Sequence, residues 1–471
     1  MGALVGVFTK QPDDTRGLIE HMLRSLRHRG NQTRITVLED PRHNEIGIGY
    51  CDHYDPDSHF MESAGKTLAL NGSLYMKPET GQGKYVLRKL ISKSNPRTAV
   101  SNIMREPGVF SILFSYRKSL YAFRDPVGFK PLFCAHNRRL TAFASERKAL
   151  WKIGLTDVQG VPPGQLYKVN SNGTSESVLT RFSRTSRSST LTMERASSLL
   201  AGLLRKSIQR TVKNNNGVAV AFSGGLDSSL TAALAKETGV SVELVTVGLP
   251  GAVELSSAEG YAKQIGLPLT METFSPDSLA EYLRRVVWLI EEPNLMKVSI
   301  AIPLHWAAEV AARRGYRVVL CGQGSDELYG GYYKYAKTLD SRGRAALESE
   351  LYRSVVESYS VNYERDDQAT APFGVELRTP FTDLDVVKFS LTIPSELKVK
   401  RENDLMRKWI LRTVGQNLGL PKEIAWRRKK AIQHGTGVEH AILKLAKREG
   451  LMPDAYLERI HAEVMTVESM P

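Results

Sequence analysis

Apolar residues follow two different rhythms along this chain. Through the first 170 residues they come in short runs between polar turns: Gly2 to Phe8, Val109 to Phe114, Leu120 to Phe123, Leu132 to Ala135, Leu140 to Ala144 and Gln165 to Val169. Runs of this kind predict strands. Leu68-Ala69-Leu70 leads into Asn71-Gly72, which predicts a tight turn before Ser73-Leu74-Tyr75. Leu18 to Leu26 predicts one of the few helices of this half. From Thr192 a helical period sets in, and Val218 to Phe222, Ser228 to Glu237, Val242 to Val247, Leu255 to Ile265, Val298 to Arg314 and Arg317 to Leu320 alternate strand with helix. That alternation predicts a parallel sheet covered on both faces.

The expected division is a mostly β domain over 1–170, a Ser/Thr/Arg/Asn-rich linker or exposed strand pair over 171–191, an α/β domain over 192–447 whose later part is helical, and a charged tail over 448–471. A chain of 471 residues needs more than one core, so two domains are expected.

Composition changes this picture little. With 42% hydrophobic and 24% charged residues the chain reads as an ordinary globular protein. No uninterrupted apolar run reaches membrane-spanning length; the nearest approach, Val298 to Ala312, is broken by His305 and Glu309. The opening Met1-Gly2-Ala3-Leu4-Val5-Gly6 lacks the layout of a signal peptide, and Cys51, Cys134 and Cys321 are scattered and odd in number. A cytoplasmic location is expected, with no membrane partner. The net charge of +14 raises the question of nucleic acid. The basic residues are dispersed, however, and no zinc or RNA-binding pattern accompanies them, so a site for a polyanionic nucleotide accounts for them more simply.

The chemistry gathers after residue 217. An apolar strand runs into Ser223-Gly224-Gly225-Leu226-Asp227-Ser228-Ser229 and then a helix. Backbone N–H groups freed of Cβ crowding, together with a helix N-terminus, form a cradle for phosphate. Asp227 would repel a bare phosphate, so its expected role is to hold Mg²⁺. A simple glycine turn capped by Asp227 is the plainer alternative. A second strand end, Cys321-Gly322-Gln323-Gly324-Ser325-Asp326-Glu327, is expected at the same sheet edge, where Asp326 and Asp227 would share the metal. The glycine spacings of Walker and dinucleotide loops are absent, which favours cleavage between the α and β phosphates of ATP over kinase chemistry. Trp426-Arg427-Arg428-Lys429-Lys430-Ala431 could neutralise a departing pyrophosphate, although an Arg/Lys run is usually a solvated face. Cys321 has no histidine placed beside it in sequence and is expected to be a small buried residue.

These segments together resemble the glutamine-dependent asparagine synthetase family. Ser223 to Ser229 is similar to its pyrophosphatase signature, Cys321 to Tyr332 to its substrate loop, Arg365-Asp366-Asp367 with Gly374 to Asp383 to a motif of its C-terminal part, and Trp426 to Gly437 to its catalytic segment. The resemblance implies that Ala221 and Val247 meet adenine, that Ser223, Gly224, Gly225, Leu226, Asp227, Ser228, Ser229, Gly248, Cys321, Gly322 and Lys429 surround ATP, and that Lys429, Gln323, Asp326 and Asp227 are catalytic. The implied reaction joins aspartate and ammonia into asparagine through β-aspartyl-AMP, with ATP and Mg²⁺.

The first half resembles the family's glutaminase. Arg29-Gly30, Asn71-Gly72, Arg124 to Leu132, Phe143-Ala144-Ser145-Glu146 and Pro162-Pro163-Gly164 fall in the family's order. The implied fold is the αββα sandwich of N-terminal nucleophile hydrolases, followed by an ATP-pyrophosphatase parallel sheet. That glutaminase needs a cysteine next to Met1, and this chain has Gly2; it needs an acidic residue where Ser73 stands. Loss of glutamine hydrolysis is therefore expected, with ammonia from solution or from a separate protein, and a homodimer by analogy.

Gln323 also departs from the family glutamate, and Gln368 from a lysine near pyrophosphate. Amide synthesis or cyclisation on another carboxylate, as in β-lactam-forming relatives, therefore stays open, with the space around Gln323, Glu292 and Arg378 expected to decide substrate size. A non-catalytic interaction protein is the remaining alternative.

Overall fold

The structure is a computed structural model that describes the chain apart from residues 1, 11–13, 40–42, 64, 77–80, 94, 184–190, 401–403, 429–431 and 467–471. Its first half is built from β1 (Gly2–Thr9), β2 (Gln32–Glu39), β3 (Glu45–Asp52), β4 (Phe60–Ser63), β5 (Lys66–Leu74), β6 (Gly108–Tyr116), β7 (Ser119–Arg124), β8 (Phe133–His136), β9 (Leu140–Ala144), β10 (Gln159–Gly160), β11 (Gln165–Asn170) and β12 (Gly173–Val178). They form two six-stranded sheets, ordered β10-β8-β9-β1-β3-β2 and β12-β11-β7-β6-β5-β4. Every ladder within them is antiparallel.

The strands are apolar on both faces because both faces are covered. Leu4 and Phe8 of β1 meet Ala69, Leu113 and Ala122 between the sheets. Ala3, Val5 and Val7 alternate with them and pack beneath α1 (Thr15–Arg24), against Ile19 and Leu23. On the far side α2 (Gln82–Ile91) and α3 (Pro96–Ile103) press Val86, Leu90 and Val100 onto Leu68, Leu70 and Ile112. The short α4 (Arg147–Trp151) completes this αββα sandwich, the architecture that the resemblance implied.

Three details differ from the sequence reading. α1 begins at Thr15 instead of Leu18, because the Asp14 carboxylate caps its first turn by accepting from the Gly17 N–H. Asn71-Gly72 is not a turn but lies inside β5, opposite Ser111 and Phe110. Gly72 is required there by close approach, since a Cβ would lie 2.1 Å from the Val109 carbonyl oxygen. The segment after residue 170 supplies β12, paired along β11, before the connection to the second half.

That half opens with α5 (Met193–Val212) and continues through β13 (Gly217–Ala221), α6 (Leu226–Glu237), β14 (Ser241–Gly248), α7 (Val253–Ile265), β15 (Leu269–Thr273), α8 (Leu279–Ile290), α9 (Leu295–Arg313), β16 (Val318–Leu320), α10 (Ser325–Tyr329), α11 (Tyr333–Ser358), α12 (Glu364–Thr370) and β17 (Glu376–Arg378). The parallel sheet runs β15-β14-β13-β16-β17. Val218, Val220, Leu244 and Leu320 face α5 and α6, while Ala219, Val245 and Val319 face α8 and α9.

β17 falls in a stretch expected to be helical. Three residues show no period, and its pairing with β16 is a tertiary event. α9 is long and apolar enough to cross a membrane by length and composition, and in the structure it packs in the core with Trp306 fully buried.

A buried network of charges joins the halves. Arg29 contacts Glu146 and sets Nη1 2.8 Å from Asp367 Oδ2, and Lys130 Nζ lies 2.7 Å from Asp367 Oδ1. Arg124 Nη1 donates to Glu364 Oε1 at 2.9 Å. Glu291 accepts from the Arg147 and Lys148 backbone N–H groups and from Gln368 Nε2 at 3.0 Å. Arg29, Lys130 and Asp367 are fully buried, so each depends on its partner for the solvation it has lost.

Candidate active site

β13 and β16 are neighbours, with Ala219 beside Val319 and Val220 beside Leu320, so the loops that leave their carboxyl ends meet. The first loop turns at Gly224, whose φ is +63°. Its own hydroxyls brace it: Ser223 Oγ lies 3.3 Å from Ser228 Oγ and accepts from the Gly225 N–H at 3.3 Å. Arg427, from the predicted cationic segment, donates to the Ser223 carbonyl at 3.1 Å and lies over the Tyr261 ring.

Lys408, which the sequence reading did not single out, ties the two loops together. Its Nζ lies 2.7 Å from Asp227 Oδ2, 2.6 Å from Asp326 Oδ1 and 3.0 Å from Ser325 Oγ. Both carboxylates thus converge on one cation. Lys408 itself is 2% exposed and held at φ +53° just before the helix Trp409–Asn417.

A cavity of about 850 Å³ opens beside this pair. One end is apolar, lined by Ala221, Val245, Val247, Leu304 and Ala307. The other is polar, lined by Gln323, Glu327, Asn362, Arg365 and Arg407 among others. A π-helical turn over Tyr359–Tyr363 presents Val361 and Asn362 there, an irregularity common at functional sites.

Of the predicted site residues, Ala221, Ser223, Asp227, Ser228, Val247, Cys321, Gly322, Gln323 and Asp326 line this one cavity. Gly224, Gly225, Leu226, Ser229 and Gly248 do not. Leu226 is 7% exposed and packs into the core, which leaves only its backbone for a ligand. Lys429 lies outside the described residues. Cys321 is buried in the core, and burial pushes its thiol up to about 12, out of reach of nucleophile chemistry at neutral pH.

Three expectations need correction. Arg378 is not at the cavity: it holds Glu376 and donates to the Thr211 carbonyl at 2.7 Å. Glu292 is drawn away by Lys297, at 2.6 Å. Gln368 lies in the charge network between the halves, against Glu291, and not beside a phosphate site. For Arg378 and Gln368 a partner lies on an element remote in sequence, Thr211 and Glu291, whereas Glu292 is taken by Lys297 only five residues on.

Electrostatics at the polar end are set by burial. Burial, then the neighbouring Asp326 charge, raises the Glu327 carboxyl; Tyr332 Oη and Asn362 Nδ2 both donate to its Oε1. Burial pushes Asp366 up to about 6 against the pull of Arg365, and the Gln323 side chain also reaches it. Gln323 is further held by Thr379 Oγ1, which donates to its carbonyl at 2.8 Å.

In the first half, Gly2 is buried opposite Asp52. A Cβ at this position would lie 2.1 Å from the Cys51 carbonyl oxygen and 2.6 Å from Tyr50 Oη. Ser73 donates to Glu376 Oε2 at 2.9 Å, so a carboxylate from β17 of the other half meets the position where the sequence lacks one. Cys51 and Cys134 are buried, and burial pushes both thiols up to about 12.

Residues 199–346 and 334–452 match the family described as asparagine synthase, and residues 68–152 match the glutamine amidotransferase domain. This chain belongs to the asparagine synthase family. A glutamine-hydrolysing asparagine synthetase 1, so named, of Methanocaldococcus jannaschii is 36% identical over 378 residues, which cover 69% of this chain and 68% of that protein. A protein named asparagine synthetase from Schizosaccharomyces pombe is 27% identical across 88% of this chain and 81% of its own length. Asparagine synthetase 2 of Arabidopsis thaliana is 25% identical across 90% and 76%.

Membership explains which signals were readable. The asparagine synthase half carries its two glycine-rich strand-end loops as contiguous strings, and these are found by inspection. Arg407 and Lys408 were missed as site residues because they sit in a string with no pattern of its own, and Glu327, although inside the quoted Cys321 to Tyr332 string, was given no role of its own. The one available hint was their spacing in Arg407-Lys408-Trp409, a basic pair before an apolar helical run.

Proposed function

We propose that this chain is an ATP-dependent synthetase that joins aspartate and ammonia into asparagine through a β-aspartyl adenylate, releasing AMP and pyrophosphate without hydrolysing glutamine. The observation that carries the reading is the convergence of Asp227 and Asp326 on one cation, at the carboxyl ends of adjacent parallel strands. The cavity beside them lies within the roughly 300–1,000 Å³ range of small-molecule sites.

The residues divide the work. Ala221, Val247, Leu304 and Ala307 form an apolar slot for adenine. The N–H groups of the loop after Phe222, with the hydroxyls of Ser223 and Ser228, bind phosphate oxygens. Lys408 and Arg427 bring positive charge to the leaving pyrophosphate. The acid's carboxylate displaces pyrophosphate from the α-phosphorus, and ammonia then attacks the acyl carbon while AMP departs with the bonding electron pair. The donor set suits magnesium, since two carboxylates and the Ser325 hydroxyl offer hard oxygens around a point that already attracts a cation. Asp227 and Asp326 would hold that ion, which supplies charge neutralisation at the phosphates when bound. Lys429 is assigned the catalytic role that the family resemblance implies.

Loss of the glutaminase is supported twice. Gly2 carries no thiol and has no room for a side chain, and Ser73 commits its hydroxyl to Glu376. A second reading, amide synthesis on a bulkier carboxylate, is favoured by the cavity's volume of about 850 Å³, whose lining also takes in Tyr333, Ser354, Glu357 and Val361.

The test is ATP–pyrophosphate exchange across a panel of carboxylic acids, followed by amide formation with ammonium or glutamine as donor. Aspartate-dependent exchange that D227N abolishes is expected, with ammonium the only productive donor. Exchange in D227N at the wild-type rate overturns the reading. Exchange driven by a larger acid in preference to aspartate selects the second one.

A further inference from the structure

The polar end of the cavity contains two opposite charges that the protein leaves open toward a ligand. Glu327 is 2% exposed on α10 and lines the cavity. One carboxylate oxygen is oriented by Tyr332 and Asn362; the other, Oε2, is buried with no hydrogen-bond partner. An uncompensated buried carboxylate oxygen is costly, and the cost is removed by a bound cationic donor.

Arg407 is 6% exposed and lines the same cavity. The hydrogen bonds described for its guanidinium go to neutral backbone oxygens, Gly331 at 2.9 Å and Asp404 at 3.1 Å. These fix its position without neutralising it. The two carboxylates that act on it are each already engaged, Asp326 by Lys408 and Asp404 by Trp409 Nε1 and the Lys400, Met406 and Arg407 backbone N–H groups.

We infer that Glu327 and Arg407 are the recognition pair for an α-amino acid, Glu327 Oε2 accepting from the substrate's α-ammonium and Arg407 binding its α-carboxylate. The inference rests on the adenylating reading above and deepens it. With both α-groups held at this end, the remaining side-chain carboxylate is the one left to point toward Gln323 and the Asp227–Asp326 pair. The protein would thereby activate a side-chain carboxylate in preference to the α-carboxylate. A plain dicarboxylic acid would leave Glu327 unpaired, and an amino acid without the α-carboxylate would leave Arg407 unpaired. A site with buried polar groups rejects such analogues strongly.

The experiment measures ATP–pyrophosphate exchange with aspartate, succinate, which lacks the α-ammonium, and β-alanine, which lacks the α-carboxylate. Wild type is expected to use aspartate and to reject both analogues. In E327Q, whose side chain keeps the acceptor for Tyr332 and Asn362, KM for aspartate is expected to rise about 30-fold or more while KM for ATP stays within threefold. Discrimination against succinate should collapse in the same variant. R407M should lose aspartate in the same way but relax discrimination against β-alanine instead.

Either variant keeping the wild-type KM for aspartate overturns the pair, as does a variant whose preferences among the three acids are unchanged. Thermal melting of both variants separates misfolding from recognition. If E327Q fails to fold, R407M alone decides, because it reads the other half of the pair. Wild type giving no exchange with any acid sinks the adenylating reading itself, and exchange with the bulkier acids only sinks the choice of aspartate while leaving the pair testable on them.

Discussion

Lys408 and Asp227 stand 181 residues apart in sequence and meet with Nζ 2.7 Å from Oδ2. The same ammonium reaches Asp326 at 2.6 Å, so it lies at the point where the two strand-end loops are joined. In the proposed reaction a positive charge there would act on the departing pyrophosphate. Replacing Lys408 by Met is expected to lower aspartate-dependent pyrophosphate release by roughly 10²–10³-fold, the usual cost of one preorganised charge. ATP binding, measured by calorimetry, should survive in the variant. Equal loss of both would make Lys408 a structural residue.

Position 2 is closed. A Cβ there meets the Cys51 carbonyl oxygen at 2.1 Å, which is backbone and does not yield. G2C is therefore expected to release no glutamate from glutamine and to destabilise the sandwich by about 1–3 kcal/mol, the range for overpacking a filled core. Glutamate production and denaturant melts measure the two effects. Recovery of ordinary glutaminase turnover in G2C would refute this account of the site.

Asp367 receives Arg29 at 2.8 Å and Lys130 at 2.7 Å, all three fully buried and drawn from both halves. Removing its charge in D367A takes one anion from each of two buried cations, leaving Glu146 at Arg29 and Glu376 3.9 Å from Lys130. The expected cost is about 3–5 kcal/mol, read as a shifted denaturation midpoint. A change within 0.5 kcal/mol, the usual spread of surface substitutions, would show that the network does not hold the halves together.

Two buried histidines give the stability a pH dependence. Burial lowers His28 from 6.5 to about 4 and His305 from 6.5 to about 3. In the unfolded chain both take up a proton near 6.5, whereas in the folded chain they do so only far below it. Their contribution is complete above pH 6.5 and is lost as pH falls toward 4. Asp366, raised to about 6, works in the opposite sense between about 6 and its ordinary 3.8, as do the burial-raised Asp125, Glu327 and Asp383, while the lowered His53, His59, Glu146, Asp367 and Glu376 act with the two histidines. The melting temperature is expected to fall between pH 7 and 4. H305N, which can still donate to the Ala369 carbonyl, should flatten the slope.

What the chain reveals unaided is local. The apolar run of β1, the switch to strand-helix alternation after Thr192, and the loop Ser223 to Ser229 are set by apolar patterning and by glycine chemistry within a few residues, while the αββα sandwich was implied by the family resemblance. Those features carried the fold class and one side of the candidate site. Where a local rule was applied to a position governed by a distant contact, it failed. Asn71-Gly72 has the composition of a turn, yet the approach of the Val109 carbonyl makes Gly72 a strand residue.

The remainder was decided only when the two sheets closed and the halves docked. Lys408 between the aspartates, Glu376 against Ser73 and Gln368 against Glu291 are all pairings across long separations. Charge is the reason. An apolar residue needs only an interior, which its period along the chain already assigns to one face of an element. A buried ion needs a particular partner within about 3 Å, and the identity of that partner is fixed by the order of strands and the packing of helices, not by any neighbour in sequence.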